Sequence, residues 1–310
     1  MSRRAALLLI VLGTMWGTSY LIIKIVIVHV SPIDVAALRI LAGTVAVSFF
    51  SRGSMRRAIG LAKGWGYFAA LLGSSLASYV VPYLLISWGE LHASASIAGM
   101  INSTTPIFTA MLTPLFFRGQ IPDRYVWTGV VLGLGGTVVV FHPWSSAGGG
   151  DLVAEIAILG ASICYGVGML IQKRVLLTRS IGVPRIVTMQ LVLASVIVIV
   201  LGAPSISSLG HLRASDVLLV IVLGVFNTGL SGLLLLRLNA ISTATVSSSV
   251  TYVISVVSIA EGALFLGEPL SIDFVVGAII VFLGVVVLGL GNRVIAWVTT
   301  RRTMSSLEPT

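Results

Sequence analysis

The chain has 310 residues, 57% of them hydrophobic and 9% charged, with 19 Lys and Arg against 10 Asp and Glu for a formal charge of +9. A soluble globular chain carries about a quarter charged residues, so this one has too little polar surface to coat itself in water and takes lipid as its main solvent. The excess positive charge does not mark a nucleic-acid binder, because the basic residues sit in small groups between apolar runs and no nucleic-acid motif accompanies them.

A helix needs about 20 apolar residues to cross a ~30 Å hydrocarbon core. In chain order such runs predict spans at 5–28, 33–51, 65–88, 93–117, 125–141, 152–173, 183–202, 215–236, 242–266 and 272–291. The first follows Met1-Ser2-Arg3-Arg4, but it is longer than the apolar core of a signal peptide and lacks a small-residue cleavage site, so it reads as a retained membrane helix. The second is the least regular, since Asp34 and Arg39 fall inside it. Cys164, the only cysteine, lies in an apolar run and reads as a small buried residue, with no intramolecular disulfide open to it.

Cytoplasmic loops retain Lys and Arg. With the N-terminus inside, sixteen of the nineteen fall on the inner side; Arg213 alone lies in an outer loop, while Lys24 and Arg39 lie within helices. Both termini are therefore expected in the cytoplasm and the chain in the cytoplasmic (inner) membrane. Lys173 and Arg174, at the inner end of the sixth span, read as anchors of that side. His29, His92, His142 and His211 fall in or beside separate outer loops without ligand spacing, so they read as interfacial residues, with no metal and no cofactor expected.

The stretch from Pro143 through Ser145-Ser146-Ala147-Gly148-Gly149-Gly150 is linker material at mid-chain. Around it the sequence repeats. Trp16-Gly17 with Lys24 recurs as Tyr165-Gly166 with Lys173, Ser94-Ala95 as Thr243-Ala244, and Gly129 and Gly136 as Gly277 and Gly284, always 148 or 149 residues on. The expected organisation is a first five-helix repeat over 1–142, a linker over 143–150, a second repeat over 151–292 and a cytoplasmic tail over 293–310. Five is odd, so the second copy enters the membrane from the opposite side. The loops agree, with Arg118 and Arg124 around the turn after the fourth helix and Glu268 and Asp273 around its match. The fold class expected is all-α integral membrane, ten transmembrane helices in two inverted-topology repeats, an architecture common among secondary transporters that bind solute near the midplane.

Trp16-Gly17 with Lys24, Pro32 with Ala37 and Arg39, Ser94-Ala95 followed by Pro106, and Ser242-Thr243-Ala244 followed by Leu266-Gly267-Glu268-Pro269 together resemble the drug/metabolite transporter superfamily, in its EamA-type ten-helix members. The resemblance covers nearly the whole chain. It implies transport by alternating access, often export of amino acids, metabolites or drugs, through a cavity built by the first, third and fourth helices of each half, with the fifth and tenth at the periphery. Two positions depart from it. Ser255 matches Pro106, so the helix break expected of that proline is missing from the second half. Trp16 and Tyr165 stand where small multidrug-resistance relatives carry a membrane glutamate, so that proton site does not transfer.

Ionisable groups in a span are expensive and point to function. Glu261 follows the uncharged run Leu238 to Ala260 and is the candidate coupling carboxyl, binding and releasing a proton; the alternative is a structural partner for Lys24, the second coupling candidate. Trp16, Tyr20, Tyr79, Tyr83, Tyr165 and Tyr252 lie inside spans and not in interfacial belts, where a polar-tipped aromatic suits an amphipathic solute and helix packing is the plainer account. Asn102 and Asn227 carry amides to hydrocarbon depth, either for substrate recognition or for interhelical hydrogen bonds. Gly129, Gly133, Gly136, Gly277 and Gly284 permit close helix approach within one molecule, which leaves the chain a monomer or weak homodimer. A membrane enzyme would need paired carboxylates, a metal cluster or a nucleophile beside a base, and no catalytic set is visible. A channel-like facilitator is the remaining rival. No glycine-rich run ends in Gly-Lys-Ser/Thr, so transport energy must come from a gradient, from exchange or from the solute's own concentration, with the proton as candidate coupling ion.

Overall fold

The structure is a computed structural model and describes residues 3–50, 64–119, 124–141, 151–178, 182–201, 212–268 and most of 272–287. The linker at 143–150, the tail at 293–310, His142 and His211 lie outside the described residues. Everything described is helix or short turn, as lipid demands, because a helix satisfies its backbone polar groups internally.

In chain order the helices are α1 (Arg3–Val26), α2 (Pro32–Phe50), α3 (Trp65–Gly89), α4 (Ala95–Asn102), α5 (Thr105–Phe116), α6 (Arg124–Phe141), α7 (Leu152–Thr178), α8 (Val183–Val200), α9 (Ala214–Ile241), α10 (Ala244–Ser248), α11 (Val250–Phe265) and α12 (Val275–Gly284). Counting Ala244–Phe265 as one, seven stretches among the described residues are long and apolar enough to cross a membrane by length and composition. The polarity is that of a membrane protein. Leu7, Val28, Val45, Val200, Leu264 and Phe265 are exposed, whereas Ser87, Glu90, Gln190 and Asn239 are wholly buried. Lipid accepts the first set, and helix contacts must satisfy the second.

Two helices change pitch within their length, the first just before Pro82. α3 passes through a π-helical segment at Leu76–Val80, and α9 does so at Val225–Leu230, 149 residues later. Such wide turns shift the side-chain register and concentrate at functional sites.

The predicted span at 93–117 divides into α4 and α5, with Ser103 and Thr104 between them. The span at 242–266 also divides, at Ser249, although no proline stands there. The expectation of an unbroken second copy is thus corrected. Hydroxyl back-bonding, which offers carbonyls an alternative to the helical ladder, accompanies both breaks, and Pro106 only the first. Ser103, Thr104 and Thr105 donate to the carbonyls of Met100, Ile101 and Asn102 at 2.5–2.8 Å. Ser248, Ser249 and Thr251 do the same to Thr245, Val246 and Ser248 at 2.7–2.9 Å. Each broken helix also begins alike, with Ser94 Oγ accepting from Ile97 N and Thr243 Oγ1 from Val246 N, both at 3.1 Å.

Packing brings the halves together. One apolar core joins α1, α4, α7, α9 and α11, and a second joins α2, α3 and α8. Glycines set the closest approaches: a Cβ on Gly17 would meet the Cβ of Val257 at 2.5 Å, and one on Gly43 would meet the carbonyl oxygen of Gly224 at 2.8 Å.

Candidate functional site

A cavity opens between the halves, enclosing about 410 Å³ with its open mouth included. Its walls come from α1 (Trp16, Ser19, Tyr20, Ile23), α2 (Arg39), α3 (Tyr83, Ile86), the end of α4 (Asn102), α7 (Tyr165, Met169) and α11 (Thr251, Ile254). Three pairs of these are repeat-related at an offset of 149: Trp16 with Tyr165, Tyr20 with Met169, and Asn102 with Thr251. A mostly apolar wall carrying a few fixed polar groups is the usual build of a small-molecule site.

Three of the polar groups are held from behind. The Trp16 indole donates to the Asn227 carbonyl at 2.8 Å and to Ser231 Oγ at 2.9 Å, both on α9. Asn102 Oδ1 accepts from Thr105 Oγ1 at 3.1 Å and from Ser162 Oγ at 3.4 Å. Arg39 is 3% exposed, with its guanidinium carbon 3.8 Å from the Tyr83 ring centroid and its Nε donating to Thr228 Oγ1 at 3.2 Å. Among the described residues no carboxylate forms an ion pair with it. A buried, permanent cation lining an apolar cavity favours an anionic group on whatever enters.

Of the residues singled out in the sequence, Trp16, Tyr20, Tyr83, Asn102 and Tyr165 come together on the cavity wall. Tyr79, Asn227 and Tyr252 do not line it. Tyr79 stands edge-on behind Tyr83, ring centroids 6.0 Å apart. Asn227, in the π segment of α9, donates to the Met15 carbonyl and, at 2.8 Å, to Ser19 Oγ. Tyr252 packs with Met100 in a small separate cluster. Glu261 Oε1 accepts from Thr18 Oγ1 at 2.9 Å, and Glu261 forms no ion pair with Lys24 among the described residues.

Lys24 instead grips backbone. Its Nζ donates to the carbonyls of Glu90 and Ala93, at 2.5 and 2.8 Å, across the turn from α3 to α4. Lys173 donates to Asn239 and Ser242, at 2.8 and 2.6 Å, across the turn from α9 to α10. All three residues of each set are 149 apart, so both lysines close equivalent turns. His29 and His92 lie 3.5 and 3.9 Å from Asp216 and Asp151.

The residue the sequence reading passed over is Glu90, which is wholly buried. At the end of a span beside Leu91-His92 it resembles ordinary loop polarity; its place 149 residues before Asn239 was the available signal.

A polytopic bundle of apolar helices, doubled in sequence and closed around a cavity that both halves wall, defines a membrane transport protein. The chain belongs to the EamA-like transporter family, which matches it twice, over residues 3–142 and 152–290. It is similar to an uncharacterized transporter of Archaeoglobus fulgidus, 26% identical over 278 residues, covering 88% of this chain and 94% of that one. It is also similar to a protein of Salmonella typhimurium named a probable amino-acid metabolite efflux pump, 24% identical over 312 residues, covering 95% and 97%. Its fold is similar to that of a chain in a crystal structure, with a TM-score of 0.70 at 16% identity, over 95% of this chain and 99% of that chain.

Proposed function

We propose that the chain is a secondary transporter that exports a small carboxylate-bearing solute, amino-acid-like in size and polarity, across the cytoplasmic membrane by alternating access. In this reading ten spans form two inverted halves, 1–142 and 151–292, with both termini cytoplasmic, in a monomer or weak homodimer. The observation that carries it is the cavity wall, where repeat-related residues meet around Arg39. Halves related by a two-fold axis in the membrane plane place equivalent residues at related depths, so rocking one half against the other opens the cavity to alternate sides. The solute's carboxylate meets Arg39, and its apolar part meets Trp16, Tyr20 and Tyr165. The amino-acid metabolite efflux named for the Salmonella relative fits such a solute.

Purified protein in proteoliposomes should give saturable counterflow that amino acids compete for and lipophilic cations do not. Conductance without counterflow would make it a pore. Single cysteines at Ser54 and Ser146, in a Cys164→Ser background, should label from opposite faces; labelling of both from one face would break the inverted arrangement.

A further inference from the structure

Glu90 caps the C-terminal end of α3 with 0% of its surface exposed, and neither carboxyl oxygen has a hydrogen-bond partner among the described residues. The nearby cations are engaged elsewhere. Lys24 bonds to two backbone carbonyls, and Arg39 lies over Tyr83 and donates to Thr228. No ion pair reaches the Glu90 carboxyl.

The second half holds a neutral group at the same place. Asn239 is also 0% exposed, its Nδ2 donating to the Met169 carbonyl at 3.0 Å and its Oδ1 accepting from Ser247 Oγ at 3.4 Å. At the offset of 149, Met169 corresponds to Tyr20 and Ser247 to Ala98. The first half therefore keeps an acceptor carbonyl where the amide donates and has a methyl group where the hydroxyl donates. An ionised carboxylate only accepts, whereas a protonated carboxyl has one O–H donor and an acceptor oxygen, like an amide. Unpaired charge in a dry interior is far more costly than the neutral acid. We infer that Glu90 is a proton-binding site, occupied in this conformation and emptied when helix movement admits water or frees Lys24 and Arg39 to pair with the carboxylate.

The site is built into the transport path. Glu90 lies four residues beyond Ile86 on α3, and Lys24 four beyond Tyr20 on α1, so both sit one helical turn past cavity-lining residues on the same faces. The titratable or charged groups facing it are Tyr20 and Lys24 from α1, Arg39 from α2 and Glu268 after α11. Glu268 is committed to the backbone N–H groups of Ala95 and Ser96. From α7, Ile158 packs on Gly89, while Glu155 interacts with Asp151.

Proton occupancy does not depend on the transporter reading; its use as a coupling site does, and two measurements separate them. Infrared spectra of the protein in lipid vesicles should show the carbonyl stretch of a protonated carboxyl at neutral pH, lost in Glu90→Gln, shifted in Glu90→Asp and retained in Glu261→Gln. A band unchanged in both Glu90 variants, or lost only in Glu261→Gln, overturns the site. In proteoliposomes with a panel of radiolabelled amino acids, an imposed pH gradient should stimulate wild-type flux, and Glu90→Gln should lose that stimulation while keeping counterflow. Gradient stimulation surviving in Glu90→Gln overturns coupling at Glu90 even if the band is present. Absence of wild-type counterflow for every amino acid overturns the amino-acid exporter reading and leaves the infrared result standing.

Discussion

The indole of Trp16 is hydrogen-bonded to the backbone carbonyl of Asn227, at 2.8 Å, so an aromatic wall of the first half is fastened to the π segment of the second. Asn227 returns the contact by donating to Met15 and Ser19. Trp16→Phe keeps an aromatic ring and removes these indole bonds, and should weaken amino-acid binding roughly five-fold and lower stability by about 1–2 kcal/mol, since two buried acceptors lose their donor. Trp16→Ala should destabilise by about 3–5 kcal/mol as well. Binding unchanged in both variants would reduce Trp16 to a packing residue.

Lys24 and Lys173 close matching turns, so their loss should register alike. Lys24→Met and Lys173→Met each leave two carbonyls at a helix end without a charged donor, a loss of about 2–3 kcal/mol. Thermal unfolding in detergent checks this. A variant that melts with the wild type would show that its carbonyls find other donors.

Glu268 ties the segment after α11 to the start of α4, accepting from Ala95 N at 2.8 Å and from Ser96 N at 3.0 Å. Glu268→Ala should cost about 1–2 kcal/mol, and Glu268→Gln less, because one acceptor remains. A Glu268→Gln variant that melts with the wild type would remove the charge from the explanation.

Gly17 and Gly166 hold equivalent places but unequal space. A Cβ at Gly17 would meet Val257 Cβ at 2.5 Å, while at Gly166 the nearest atom is Thr109 Oγ1 at 3.1 Å. Gly17→Ala should therefore destabilise by about 1–3 kcal/mol and Gly166→Ala by less. Comparing the two melting curves tests the asymmetry, and a reversed order would mean that α1 and α11 can separate cheaply.

Seven apolar spans among the described residues and the doubled family match were legible in the sequence because hydropathy and the 149-residue spacing survive in side-chain identity. Trp16, Tyr165 and Asn102 could be singled out for the same reason, as polar-tipped groups in apolar runs. The π segments could not, since a widened turn is a backbone event: Pro82, which cannot donate to the Ser78 carbonyl, follows the first, but Ser231 stands at the matching place beside the second. The break at Ser249 was missed because proline was taken as its cause, whereas hydroxyls bonded to carbonyls three residues back accompany it. Glu90 escaped notice because one acid beside a turn resembles a solvated loop until its burial is known. The two carbonyls that Lys24 grips were not legible, because no side-chain pattern encodes a backbone partner.

Those two lysines hold oxygen atoms that every amino acid possesses. Whatever side chain occupies position 90, 93, 239 or 242, the clamp across the turn still finds its carbonyl. The duplicated scaffold can therefore diverge at these positions without unfastening itself. One copy carries an acid and the other an amide, and descendants of the same architecture are free to exchange them, gaining or shedding an ionisable group by a single substitution while the turn stays shut.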